Sequence, residues 1–268
     1  MTRGPQWADH QVDGMLVREA RDTRVPQRGH LVMVHGAQQG WWVFERWIPP
    51  FTYSGWTCLA LSLPNHTGSR VLPEQEFLSL TVMDYVHDVL RVVDRLAPRA
   101  ALLGHSMGGL LTQLVAERTA PEALVLVSSV GPGQLGAMRT TSFPPDEPVV
   151  FSRDLIRERW FRRISETAMD AVMTRVSPEP PSVVNAYSDG SVHVDTRAVR
   201  CPVLVVGPQE DRTPVHDARR IAELYGVRPL LVPEVGHSMM LEDEGVHVAS
   251  AIIQWLDANC AGQERETR

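Results

Sequence analysis

Residues 101–110 read "ALLGHSMGGL", an apolar run that ends in the pentapeptide Gly104-His105-Ser106-Met107-Gly108. A G-x-S-x-G pentapeptide is weak evidence alone, because average glycine and serine usage gives about 0.1 chance matches in a chain of this length. Its setting strengthens it. Ser106 stands where an apolar strand ends and a helix begins, the place at which a sharp turn lifts a serine hydroxyl above the carboxyl edge of a sheet. Such a turn crowds the residues two before and two after the serine. Gly104 and Gly108 avoid the resulting Cβ clashes, and Gly109 lets the helix lie close. The helix N-terminus behind the serine also favours negative charge developing there.

Outward from this stretch, short runs rich in Val and Leu recur at 30–36, 57–64, 100–106, 124–129, 201–207 and 228–234, bounded by Gly, Pro or Ser. Continuous apolar runs suit strands covered on both faces. Between most of them lie helical patterns. Residues 81–96 put Val82, Tyr85, Val86, Val89, Val92, Val93 and Leu96 on one face, and 108–119, 215–225 and 244–259 also read as helices. The alternation predicts the α/β class with a doubly wound, mostly parallel sheet. It breaks over about 131–200, which opens Gly- and Pro-rich and continues with two or three helices over 152–187. We read 131–198 as a small helical lid inserted after the strand at 124–129. Residues 1–130 and 199–268 then form the core, and the tail "AGQERETR" (261–268) is expected to be disordered.

The chain has 268 residues, 43% hydrophobic and 22% charged, enough for one large domain with a substantial core. Its formal charge of −6 gives no electrostatic reason to expect nucleic acid or an anionic membrane as partner. The basic stretch 153–163, "RDLIRERWFRR", is interrupted by acids and reads as a solvated helix face. Cys58, Cys201 and Cys260 are far apart and odd in number, so neither a disulfide framework nor a zinc site is indicated. The polar N-terminus lacks the apolar core of a signal peptide, and no apolar run reaches the roughly 18 residues of a membrane span. A cytoplasmic protein is the expectation; no metal or organic cofactor is implied, and a homodimer is compatible with the sequence.

A serine hydroxyl is a poor nucleophile near neutral pH and needs a base, usually a histidine oriented by a carboxylate. In this architecture the chain order is serine, acid, histidine, each just after a strand. After the run at 201–207 comes "PQEDRTPV" with Asp211, whose rival is Glu210; the spacing before Pro214 favours Asp211. After the run at 228–234 comes "VGHSMM" with His237. Acyl chemistry also needs donors for an oxyanion. The candidates are the backbone N–H of Met107, directly after the serine, and that of Ala37, after the His35-Gly36 turn that ends an early strand.

With these segments in order, the chain resembles the α/β-hydrolase superfamily over about residues 30–258, and in particular its bacterial esterase-like and lysophospholipase-like members. "HGAQQGWWVFERWIPPF" is similar to their oxyanion loop and first helix, "GHSMGG" to their elbow, and "CPVLVVGPQEDRTP" and "VGHSMMLE" to their acid and histidine segments. The resemblance implies a serine hydrolase cleaving an ester, thioester or lactone, with Ser106, His237 and Asp211 catalytic and Ala37 and Met107 binding the oxyanion. The alternative is a non-hydrolytic use of the same pocket, by a lyase, a cyclase or a natural-product tailoring enzyme. Hydroxynitrile lyases typically carry Thr where Gly36 stands and Lys where Ser238 stands, and dehalogenases and epoxide hydrolases need Asp at the elbow. The expected substrate is a small molecule with an apolar acyl part. Gln38, Met138, Trp160, Ser238 and Met239 are the expected pocket lining, with Met107 as a further adaptable apolar side chain. Trp41, Trp42, Phe44 and Trp47 are expected to pack the first helix, with a pocket wall as the alternative. One segment departs from the family. Many relatives carry D-x-x-G-H-G-x-S where this chain has "LSLPNHTGS" (61–69): Leu61 replaces the Asp and Asn65 a Gly, while His66 and Ser69 remain. The loop is mainly structural in relatives, so the change is not read as a loss of activity; an altered pocket wall is the open alternative.

Overall fold

The computed structural model describes residues 4–260, so the tail at 261–268 lies outside the described residues. Eight strands form one sheet: β1 (Gln6–Val12), β2 (Met15–Arg21), β3 (Gly29–Val34), β4 (Trp56–Leu61), β5 (Ala101–His105), β6 (Leu124–Val127), β7 (Val203–Pro208) and β8 (Leu230–Val232). Their order is β1-β2-β4-β3-β5-β6-β7-β8. β1 with β2 and β2 with β4 are antiparallel, and the other neighbours are parallel.

The six apolar runs are β3 to β8. The β1–β2 hairpin was not among the expected strands, and the reason is physical. β1 is an edge strand, mostly exposed, so it has no apolar run, and β2 alternates buried and half-buried positions. Its local signal is the Asp13-Gly14 turn, where φ is 49° and 79°. Two successive positive φ values are what a two-residue type I′ hairpin requires, and Asp-Gly supplies them readily.

The parallel strands explain their own composition, because alternate residues feed cores on opposite faces. Val32, Val34, Leu102, Leu124 and Leu126 pack on one side with α3 (Val82–Leu96) and α4 (Met107–Ala116). Leu31, Met33, Leu103, Val125 and Val127 pack on the other with α1 (Ile48–Tyr53) and α9 (Val246–Asn259). The aromatic residues Trp41, Trp42, Phe44 and Trp47 are buried in this second core, where they seat α1. α3 illustrates what makes a helix here. Five of its fifteen residues are valine, a stiff β-branched side chain with modest helix propensity. Burial of each contributes about 1.5–3 kcal/mol, which outweighs that propensity, and a Thr81–Asp84 capping box fixes the start.

The remaining helices are α2 (Glu74–Ser79), α5 (Arg153–Trp160), α6 (Glu166–Met173), α7 (Pro181–Ser188) and α8 (Ala218–Leu224). α5 to α7 fall between β6 and β7. Two of the three arginines of α5 lie on a solvated face, where Arg153 and Arg157 pair with Glu166 and Asp170, while Arg159 lines a cavity. Among the described residues no helix is long and apolar enough to cross a membrane.

One topological fact positions the site. The chain leaves β3 towards β4 on one side and returns to β5 on the other, with Val34 in register with Gly104. Such a reversal opens a crevice at the carboxyl ends of the strands. The segments after β3, β5, β7 and β8 carry Ala37, Ser106, Asp211 and His237 to that edge.

Candidate active site

Ser106 joins β5 to α4 at φ 53° and ψ −120°, a backbone conformation that L-residues seldom adopt. The turn is held on both sides. Ser106 N–H donates to Val127 O at 3.0 Å, and Ser106 O accepts from Gly109 N–H and Val130 N–H, each at 2.9 Å. The glycines around it answer to close approach: a Cβ on Gly104 would collide with the Gly108 carbonyl and the Thr112 hydroxyl, and one on Gly108 with the Val34 and His35 carbonyls. At Gly36 an added Cβ would meet His105 Nδ1 at 2.8 Å and Ser106 Cβ at 2.9 Å. The loop after β3 and the serine therefore touch through a position that tolerates no side chain.

His237 Nδ1 donates to Asp211 Oδ2 at 2.8 Å, and Asp211 Oδ1 accepts from Thr213 N–H at 2.9 Å. Glu210, the rival acid, is exposed. Ser106 and His237 line the same cavity of about 250 Å³, and so does Ala37. Among the described residues no hydrogen bond joins Ser106 Oγ to His237 Nε2; contacts of this kind are often long outside the substrate complex. Ala37 N–H has no acceptor among the described residues, while Gly36, Gln38 and Gln39 N–H each have one. Met107 is the first residue of α4, so its N–H has no carbonyl within the helix to donate to. Ser106, Ala37 and the carboxylate-bound His237 thus line one cavity, with the Met107 amide directly after the serine, an arrangement suited to acyl transfer.

The histidine loop is supported from beneath by residues that local sequence patterns did not single out. The His105 ring bridges the Gln39 side-chain amide at 2.9 Å and the His237 carbonyl at 3.1 Å. Burial, and then the neighbouring His237, hold the His105 pKa well below the ordinary histidine value, so the ring donates from only one of its two nitrogens and the other contact is an approach without a shared proton. Gln39 Nε2 donates to Ser238 Oγ at 3.1 Å. Buried Glu242 accepts from Gly236 N–H at 2.6 Å, and from the N–H groups of Arg162 and Arg163 at 2.6 and 2.9 Å. Ser238 N–H donates to Trp160 O at 2.8 Å and Thr213 Oγ to Arg159 O at 2.8 Å. Both loops are therefore tied to the end of α5. Glu242 follows His237 by five residues in "GHSMMLE", so proximity in sequence was its one clue.

Of the expected pocket lining, Met138 and Trp160 line the cavity, joined by Phe143, Phe151, Val184 and Tyr187. Gln38, Ser238 and Met239 do not. Gln38 spends its side-chain amide on Val149 O and Phe151 N–H. Ser238 is buried against Gln39, and Met239 sits in the core with α9. The Met107 side chain likewise enters the core beneath α4. Nor does the departing loop at 61–69 reach the cavity wall. Leu61 ends β4 in the core, Ser69 Oγ ties Ser62 O to Leu16 N–H, and His66 is buried against Glu179. Among the described residues no group of three or more His, Cys, Asp and Glu side chains is arranged to hold a metal ion.

The alpha/beta hydrolase family model matches residues 31–249. The chain is 25% identical over 176 residues to a carbendazim hydrolyzing esterase of Nocardioides sp. (strain SG-4G), covering 63% of this chain and 68% of that protein. Among solved structures it is similar to a methylesterase from Arabidopsis (TM-score 0.70, 16% identity, 86% of this chain and 99% of that one). It is also similar to an N-acyl homoserine lactonase complexed with N-hexanoyl homoserine (TM-score 0.73, 15% identity, 98% and 99%). At these identities the structural likenesses speak to the fold. The matched family model spans most of the chain, from β3 to α9, and this chain belongs to the alpha/beta hydrolase family.

Proposed function

We propose that this protein is a serine esterase that hydrolyses a small carboxylic ester, thioester or lactone. The observation that carries the reading is the strained Ser106, opening on the same cavity as the Asp211-bound His237 ring. His237 Nε2 takes the Ser106 proton as Oγ attacks the substrate carbonyl. Asp211 holds the ring in the tautomer with Nδ1–H and favours the imidazolium that forms. The Ala37 and Met107 N–H groups accept the negative charge building on the carbonyl oxygen, and the α4 N-terminus adds to them. His237 then protonates the leaving alcohol, thiol or ring oxygen. Water attacks the acyl enzyme with His237 as base again, and Ser106 is released.

The substrate class follows from the cavity. Phe143, Phe151, Trp160 and Val184 favour an apolar or aromatic acyl part of modest size. Met138, Trp160 and Tyr187 all come from 131–198, which supports its reading as a lid over the site. The esterase, methylesterase and lactonase among the similar proteins agree with small ester-type substrates.

The test is turnover of p-nitrophenyl acetate and butyrate and of a short-chain lactone, with fluorophosphonate labelling followed by intact mass. Expected are turnover of at least one substrate and a single adduct, both lost in Ser106→Ala at an unchanged melting temperature. Full activity or labelling in the folded Ser106→Ala variant removes the mechanism. An unlabelled wild type moves the chain to the non-hydrolytic reading.

A further inference from the structure

The loop bearing Ala37 is fastened at the next residue. Gln38 has φ 62°, in the left-handed region, and each of its polar groups is engaged by two stretches from between β6 and β7. Its N–H donates to Glu179 Oε1 at 2.7 Å and its Nε2 to Val149 O at 2.8 Å. Its Oε1 accepts from Phe151 N–H and its carbonyl from Ser177 N–H, both at 3.0 Å. Val149 and Glu179 also pair with each other as an antiparallel bridge.

Glu179 is the charged centre of this fastening. Besides Gln38 N–H, its carboxylate accepts from His66 Nε2 at 2.9 Å and from the Tyr85 hydroxyl at 3.2 Å. The side chains of Glu179 and His66 are both 0% exposed. His66 Nδ1 also lies 2.9 Å from Pro64 O, and unlike His105 the ring faces a buried carboxylate that favours its charged form, so both ring nitrogens donate and the ring is an imidazolium. Electrostatics gives the cation a purpose. A lone buried carboxylate bonded to the peptide beside Ala37 would oppose an oxyanion forming there, and the imidazolium cancels that charge.

We infer that Glu179, paired with His66, is a positioning residue for the Ala37 amide: it anchors Gln38 so that the preceding N–H stays unpartnered and aimed into the cavity. This rests on the esterase reading above. Glu179 touches no reacting atom. Its contribution is that the oxyanion donor is in place before substrate arrives. Removing one such donor outright slows an acyl-transfer enzyme by about 10²–10³, and loosening it costs part of that.

The experiment measures kcat and KM for p-nitrophenyl acetate, with active sites counted by fluorophosphonate and melting temperatures recorded in parallel. Glu179→Gln replaces the charge-assisted acceptor of Gln38 N–H with a weaker neutral one and breaks the ion pair with His66 that fixes it in place. The double variant His66→Phe with Glu179→Met removes both charges and the acceptor at similar volume. Expected is a kcat per titrated site at least threefold down in Glu179→Gln and at least tenfold down in the double variant, with KM within about twofold in both. A purely structural role would lower the melting temperature or the titrated fraction and leave kcat per site unchanged. Glu179→Gln decides alone if the double variant does not fold: a fall of less than threefold overturns the inference. A wild type that neither turns over the ester nor labels removes the esterase reading and this inference together. A wild type that does both, with variants at its kcat, removes the inference alone.

Discussion

Two histidine–carboxylate pairs flank the cavity at nearly equal hydrogen-bond lengths and in different surroundings, while a third, His10–Glu19, lies on the β1–β2 hairpin. His237 and Asp211 meet at 2.8 Å with side chains 2% and 16% exposed, on loops that open to the cavity. His66 and Glu179 meet at 2.9 Å with no exposure, between the loop after β4 and the chain entering α7. In the first pair the Nδ1 side of the ring is engaged and Nε2 has no partner among the described residues, which leaves it open for the proton of Ser106 in the proposed mechanism. In the second both are engaged, and the carboxylate has two further donors. The same two functional groups thus suit the proposed proton transfer in one place and the proposed fixed geometry in the other. What separates them is the number of partners and the access of water, not the residue types.

The sharpest way to break this comparison is to exchange the effects. His237→Gln is expected to lower ester turnover by about 10⁴–10⁶, and Asp211→Asn by about 10⁴, with little change in urea stability. Glu210→Gln, at an exposed position, should remain near wild type. Steady-state kinetics beside urea melts check all three; a stable, fully active His237→Gln would erase the distinction. His66→Asn should do the reverse in stability, costing about 3–5 kcal/mol because it leaves Glu179 buried and unpaired. A loss below about 1 kcal/mol would mean that water reaches the pair.

The smallest expected effect is in pH. Burial pushes the His66 pKa down, but the charge and hydrogen bond of Glu179, with the Pro64 and Leu63 carbonyls, push it further up, so it lies above 6.5. Stability from this raised group is complete below 6.5 and is lost as pH rises through the folded-state value, at no more than about 1.4 kcal/mol per pH unit. The groups facing the pair are His35, Tyr85 and Tyr187. Burial, then His66, hold His35 well below 6.5, so its contribution is lost instead as pH falls under that value. Burial, then Glu179, raise both phenols, which stay protonated throughout this range. The stability gap between wild type and Glu179→Gln should therefore narrow as pH rises above 6.5. Melting temperatures from pH 6 to 9 test this; a constant gap contradicts the assigned charge on His66.

Much of the architecture was written locally. Valine- and leucine-rich runs fix β3 to β8 because a strand covered on both faces has no use for polar side chains. The small residues around Ser106 mark the elbow because no Cβ fits between β5 and α4. Asp211 and His237 were legible from their places after β7 and β8. The N-terminal hairpin was harder to read, since an exposed edge strand carries no apolar run.

The supporting contacts had no local trace. Glu179 lies 141 residues from the Gln38 amide that it holds and 113 from His66. Gln38 and Ser238 look like pocket residues by adjacency, yet a side chain beside a site turns inward once a buried partner satisfies it. The sequence by itself determined which groups could carry acyl chemistry and on which strand ends they stand, because periodicity, glycine placement and chain order are local properties. Only the tertiary structure decided which amide remains free, which imidazole is fully engaged, and what fastens the loop after β3 at Gln38. Those outcomes depend on burial and hydrogen-bond saturation between segments that meet only when the chain is folded.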